Sequence, residues 1–265
     1  MRIATWNINS VRARSERLLG FLTRHDVDVL ALQEIKCRSE QFPRDELEAA
    51  GYQVAAHGLN QWNGVALISR VGLEDVRTSI DGLPAWGDDD LVHEARAIGG
   101  LVAGSLRLWS LYVPNGREID HPHYAYKLRW LDAIRAEGER LLSADPDSRT
   151  IFSGDFNVAP LDEDVWDPEF FVGKTHLTPA ERDAFHAIVE AEYADLVRPY
   201  CPGPGVYTFW DYQQLRFPKR QGMRIDFLLG SPAVQKCVTG AFIDREERKG
   251  KGASDHAPVV VDLDL

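Results

Sequence analysis

The final twelve residues, SDHAPVVVDLDL (Ser254–Leu265), set the pattern by which the rest of the chain is read. The β-branched run VVVDLDL, alternating with acids, predicts a strand, and it leaves an acid and an imidazole, Asp255 and His256, at the strand's mouth. Strand mouths carry catalytic groups and ordinary turns alike, so the weight falls on whether the pattern recurs. It does: RIATWN, VDVLAL, GYQVAAH, NGVALIS, RLWSLYV, RTIFSG and RIDFLLG are each strand-like, and each is followed by polar or Gly/Pro punctuation. Between them, helices are predicted over Ser10–Arg24, Pro43–Ala50, His123–Leu142 and Thr178–Ala191. The last opens on TPAE, with a capping Thr, Pro at the first position and Glu at the third. The GDDD stretch at 87–90 and CPGPG at 201–205 read as surface loops. Many strands with helices between them predict an α/β fold of two sheets packed together with helices outside.

At 265 residues, with no repeat or linker, the chain is expected to form one domain, 1–265. Hydrophobic residues at 44% and charged residues at 27% argue against disorder. MRIATWNINS lacks a signal-peptide core and no apolar run reaches spanning length, so a cytoplasmic protein without membrane attachment is expected. Cys37, Cys201 and Cys237, odd in number and widely spaced, suggest free thiols rather than disulfides or zinc. A net charge of −11 argues against a polyanionic partner at first sight. However, residues 214–251 hold nine Lys/Arg against four Asp/Glu, a local basic surface on an acidic body.

Polar residues interrupt the apolar runs at their ends: Asn7, Glu34, Tyr112, Asn115, Asp155, Asn157, Asp226 and the pair Asp255–His256. Asp226, between Ile225 and Phe227, costs several kcal/mol if buried unpartnered. His256 suits it chemically, since a carboxylate on one ring nitrogen fixes the tautomer and favours a cation at the other. Glu34, Asn7 and Asp255 offer hard oxygen donors suited to magnesium or manganese. Asp155 and Asn157 alternate along an extended GDFNV and so share a face. A base, a metal and an anion clamp are the parts of metal-assisted phosphate-ester hydrolysis.

Taken in order, WNIN, LQEIK, YVPNG, GDFNVAP, RIDFLL and SDHAPV resemble exodeoxyribonuclease III and its AP endonuclease relatives, within the endonuclease/exonuclease/phosphatase superfamily. The resemblance runs from Met1 to the last strand and includes NGVALISR and THLTPAER. It implies a four-layer α/β sandwich of the deoxyribonuclease I-like kind. It also implies that Glu34, with Asn7 and Asp255, holds Mg²⁺ (Mn²⁺ as a substitute), and that Asp155 with Asn157 orients and deprotonates water. His256 paired to Asp226 would donate to the scissile phosphate, Tyr112 would add a hydrogen bond, and Asn115 would position the phosphate. The implied activity is hydrolysis 5′ of abasic sites and removal of nucleotides or blocking groups from 3′ ends, by a monomer acting on double-stranded DNA. The superfamily also contains phosphatases of lipid and small phosphate esters, and a non-catalytic nucleic-acid-binding relative is a further alternative.

The stretch YTFWDYQQLRFPKRQGMRID favours DNA, because it interleaves aromatic residues with Arg216, Lys219, Arg220 and Arg224. Phe209, Trp210, Met223 and Ile225 are expected around an apolar pocket for a flipped-out sugar without its base. Met223 stands where some relatives have Trp, and Glu118 where some place a basic residue. DHPH at 120–123 reads as a turn into a helix rather than a metal site.

Overall fold

A computed structural model describes residues 1–87 and 92–265; the loop expected at 87–90 therefore lies, apart from Gly87, outside the described residues. The strands are β1 (Arg2–Asn7), β2 (Val29–Gln33), β3 (Gln53–His57), β4 (Val65–Ser69), β5 (Leu73–Arg77), β6 (Ala97–Val102), β7 (Leu106–Tyr112), β8 (Thr150–Asp155), β9 (Ala194–Asp195), β10 (Asp226–Gly230), β11 (Val238–Ile243) and β12 (Val259–Leu263). They form two six-stranded mixed sheets, ordered β11-β12-β1-β2-β4-β3 and β5-β6-β7-β8-β10-β9. Pairs β1–β2 and β7–β8 are parallel, and the other pairings are antiparallel.

Side-chain alternation builds the layers. In β1, Ile3 points between the sheets, where it meets Val29, Leu67, Leu108, Ile151, Leu228 and Val261. Ala4 and Trp6 point outward against Leu18, Phe21 and Leu22 of helix α1 (Ser15–His25). The outer face of the second sheet, through Trp109, Phe152 and Phe227, packs on helices α3 (Pro122–Ala144) and α4 (Pro179–Glu190) by way of Trp130, Ile134, Phe185 and Ile188. Both faces of each central strand are covered, so those strands read as continuous apolar runs. The result is the expected four-layer sandwich. Two short helices, α2 (Arg44–Ala49) and α5 (Pro232–Gln235), complete the elements used here.

Several elements differ from expectation. Helix α1 starts at Ser15 rather than Ser10, because Ser10 adopts φ 83° in a turn that follows β1. β5, β6, β9 and β11 have no counterpart among the predicted strands. β5 is largely solvent-facing, and AIGGLV in β6 carries two glycines where alternation would show. α3 begins at Pro122 with His121 as its cap, its Nδ1 accepting from the His123 N–H at 2.9 Å, in agreement with a turn into a helix.

Candidate active site

Strand register gathers the polar termini. Asp155 of β8 pairs with Tyr112 of β7 on one side and Asp226 of β10 on the other, which sets three polar residues in one row across the second sheet. Asn7 pairs with Gln33 at the end of the first sheet, which delivers Glu34 just past β2. His256 precedes β12 and bridges to Phe209. The close passage of β7 and β8 depends on Gly154 (φ 139°), where a Cβ would overlap the Leu111 carbonyl.

His256 Nδ1 lies 2.8 Å from Asp226 Oδ2, and Nε2 lies 3.8 Å from Asp155 Oδ2. Burial pushes the ring toward neutrality, but Asp226 first, then Asp155 and Asp255, outweigh it and raise His256 to about 10. Burial is also the main influence on Asp155; opposed by His256 and reinforced by Asp226 and Glu34, it lifts the carboxyl to about 7. Burial opposes ionisation of Glu34 as well. There the Lys36 ammonium, 2.7 Å from Oε2, and the Asn7 amide prevail and hold the acid below its usual range. Burial, with Glu34 nearby, raises the Tyr112 phenol well above its ordinary value, and the Arg96 guanidinium covers its ring at 4.7 Å. Asn9, Glu34, Lys36 and Asn157 all adopt left-handed φ, a concentration of strain typical of working sites.

The predicted residues fall into three groups. Tyr112, Asp155, Asn157, Asp226, His256, Glu34 and Asn7 converge, and Asn115 joins them by donating from Nδ2 to Asn157 Oδ1 at 3.1 Å. The Asn157 N–H in turn donates to Asp155 Oδ1 at 2.9 Å. Asn7 differs from expectation in role: Nδ2 donates to Glu34 Oε1 at 2.9 Å and Asp155 Oδ2 at 3.1 Å, while Oδ1 accepts the Asn9 N–H at 3.2 Å. It presents its Nδ2 donors to the carboxylates and so bridges two acids. Asp255 connects through Asn9, whose Nδ2 donates to it at 2.9 Å and whose Oδ1 accepts from Lys36 at 2.6 Å.

Three expectations about the substrate surface are corrected. Arg224 is 1% exposed and pairs with Asp195 at 2.5 Å and Asp164 at 3.8 Å, so its charge is spent inside the fold. Trp210 is buried with Tyr207 and Ala257, away from the pocket, since its ring anchors the loop beneath Phe217. Ile225 is buried behind Met223 rather than lining the cavity. That cavity, about 230 Å³, is lined by Phe209 and Met223 as expected, together with Trp166, Phe170, Phe171 and Arg216. Its Phe209 wall stands 4.9 Å from the His256 ring. Arg216 lies over Trp166 and Phe170 at 5.0 and 4.8 Å, and Lys219 and Arg220 are exposed.

Sequence reading missed Asn9, Lys36, His176 and Lys127. Asn9 and Lys36 lie inside WNIN and LQEIK, beside Asn7 and Glu34, and were not singled out. His176, whose Nε2 is 3.2 Å from Asn157 Oδ1, carried no periodic signal. Lys127 did carry one: it occupies the apolar stripe of α3, four residues before Leu131 and seven before Ile134.

Four carboxylates (Glu34, Asp155, Asp226, Asp255) face two cations (His256, Lys36) here, and buried Asp226 Oδ1 has no hydrogen-bond partner. Surplus negative charge on hard oxygens fits a divalent metal. Among the described residues, ligating atoms of Asp155, Asp226 and His256 lie within 4.8 Å of one another. A ring raised to about 10 is protonated on both nitrogens, so the oxygens are the suitable donors.

Comparison with known proteins agrees with this geometry. The chain is 27% identical to exodeoxyribonuclease III of Haemophilus influenzae, over 98% of each chain. It superposes on a 3′ phosphatase from Neisseria bound to a product DNA hairpin with TM-score 0.92 and 33% identity, covering 100% of both chains. An AP endonuclease from Archaeoglobus fulgidus gives TM-score 0.91 and 31% identity, again over 100% of both. Residues 4–256 match the family of endonucleases, exonucleases and phosphatases, and with its paired sheets and the acid–imidazole row at their mouth the chain is a member of the Endonuclease/Exonuclease/phosphatase family.

Proposed function

We propose that this protein is a Mg²⁺-dependent DNA repair nuclease that hydrolyses phosphodiesters 5′ of abasic sites and removes nucleotides or blocking groups from 3′ ends of duplex DNA. The observation that carries the reading is the row Asp226–His256–Asp155 beside Glu34, a cationic donor and a near-neutral acid facing one point. Asp155, half ionised near pH 7, takes the proton of the attacking water, which Asn157 and Asn115 help orient. The His256 imidazolium, kept charged by Asp226, donates to a non-bridging phosphate oxygen. Tyr112, held protonated, donates to the phosphate or its leaving oxygen. Glu34, with Asp255 linked to it through Asn9 and Lys36, would hold Mg²⁺ or Mn²⁺, which when bound supplies positive charge against the phosphate. The cavity behind Phe209 is apolar and small, and accommodates a sugar better than a lipid chain. Among the described residues no helix is long and apolar enough to cross a membrane; the reading includes a monomer working in the cytoplasm.

The test is a duplex carrying one abasic-site analogue beside an intact duplex of the same sequence, each incubated with Mg²⁺ or with EDTA. Metal-dependent incision at the analogue, and shortening of the intact strand from its 3′ end, are the expected results. Binding without cleavage of either would reject the catalytic reading, and absence of both would point to a phosphatase for another ester.

A further inference from the structure

Lys127 is 0% exposed in the second turn of α3, and its ammonium has three protons and three acceptors. It donates to the Asn115 carbonyl at 3.2 Å, the Asn157 carbonyl at 2.6 Å and Glu181 Oε1 at 2.5 Å. Glu181, also 0% exposed, uses its other oxygen in the capping box of α4, where Oε2 accepts from the Thr178 N–H at 3.1 Å and the Thr178 hydroxyl at 2.8 Å. One buried ion pair therefore joins three segments: the loop after β7, the loop after β8 and the start of α4. Gly116, at φ 94°, lets the first loop lie on the lysine stem, where a Cβ would come within 3.2 Å of Lys127 Cδ. The side chains on the far side of those two carbonyls are Asn115 and Asn157, which bond each other at 3.1 Å, and Asn157 reaches Asp155 through its N–H.

A buried pair of this kind adds little net stability, because desolvation of both charges offsets their attraction. Its effect here is geometric. The backbone of Asn157 is left-handed (φ 52°), and its carbonyl needs a strong donor to stay turned inward while its amide points at the acid. We propose that Lys127, anchored by Glu181, is a positioning residue: it sets Asn157 and Asn115 against Asp155, and so controls turnover without touching the substrate. The proposal rests on the nuclease reading above.

The test compares wild-type protein with Lys127→Met, Glu181→Gln and the double variant, assaying Mg²⁺-dependent cleavage together with the thermal midpoint. Gln at 181 preserves the capping box. Lys127→Met alone strands a buried carboxylate and should lower the midpoint; the double variant removes both charges and should restore it. The double variant's kcat should nevertheless stay about 10- to 100-fold low with KM changed less than about twofold, since a displacement of about 1 Å can cost that much. Glu181→Gln alone leaves the buried ammonium without its anchor but with both carbonyl bonds, so it should lower the midpoint and lower kcat less than Lys127→Met does. Recovery of kcat alongside the midpoint, or a change confined to KM, would overturn the proposal. Should the double variant not fold, a Glu181→Gln protein as slow as Lys127→Met would do the same. Wild-type protein that cleaves nothing would reject the nuclease reading instead.

Discussion

At Asp155, burial comes first, and the Asp226 and Glu34 carboxylates add to it, so the acid sits at about 7, while Asp226, Asp155 and Asp255 outweigh burial and lift His256 to about 10. Turnover needs the first ionised and the second protonated. Activity should therefore rise as pH passes upward through about 7 and fall as it passes through about 10, a bell that a kcat/KM profile will trace. Raising Mg²⁺ should move the acid limb to lower pH, because nearby positive charge favours the ionised carboxyl; a flat profile from 5 to 9 would sink the assignment. Asp155→Asn keeps the Asn157 N–H acceptor and the surrounding basic surface. It should cut kcat by about 10²–10⁴ while DNA affinity changes little, measured by single-turnover kinetics and equilibrium binding. The pairing of Asp226 with His256 could be anticipated because a carboxylate between Ile225 and Phe227, and an imidazole at a strand mouth, are chemically conspicuous. The mutual distance, and so the values, could not.

At the level of elements, strand register does the assembling. Tyr112, Asp155 and Asp226 share a row only because β7, β8 and β10 pair without slippage, and a one-residue shift would turn each to the opposite face. Gly154 is the point on which that pairing is most exposed to change. Gly154→Ala puts a methyl into the Leu111 carbonyl at a backbone angle that L residues avoid, and should destabilise the fold by roughly 2–4 kcal/mol. Urea denaturation will check this; an unchanged midpoint would mean the strands can separate locally without loss. Central strands were legible as apolar runs because both faces are buried. β5 and β6 were not, since one is solvated and the other replaces side chains with glycines.

Across the whole molecule, an acidic body carries a basic, aromatic face, and burial divides the arginines into two kinds. Lys219 and Arg220 are exposed, whereas Arg224 pairs with Asp164 and Asp195 inside the fold. Replacing Lys219 and Arg220 together by Ala should reduce the slope of log affinity against log salt by about two, with folding stability unchanged. Arg224→Met should leave that slope alone and lower stability, since it takes the counter-ion from Asp195 and leaves Asp164 to Arg198 alone. A salt slope that responds to Arg224 and not to the surface pair would reverse the assignment.

The sequence by itself determined the two-sheet architecture and which polar residues stand at the strand ends. Apolar runs between polar punctuation dictate buried strands, and acids, amides and an imidazole at strand ends are costly to keep unless they are used. Which further residues meet them was decided by the tertiary structure alone. Lys127 lies thirty residues from Asn157 and fifty-four from Glu181, and Arg224 is linked to Asp195 across twenty-nine. The helical stripe marks Lys127 as inward-facing but not what it clamps, and nothing local distinguishes an arginine spent in the core from one that waits for a phosphate. The difference lies in desolvation and in partners brought from far along the chain, and both exist only once the sheets have closed on each other.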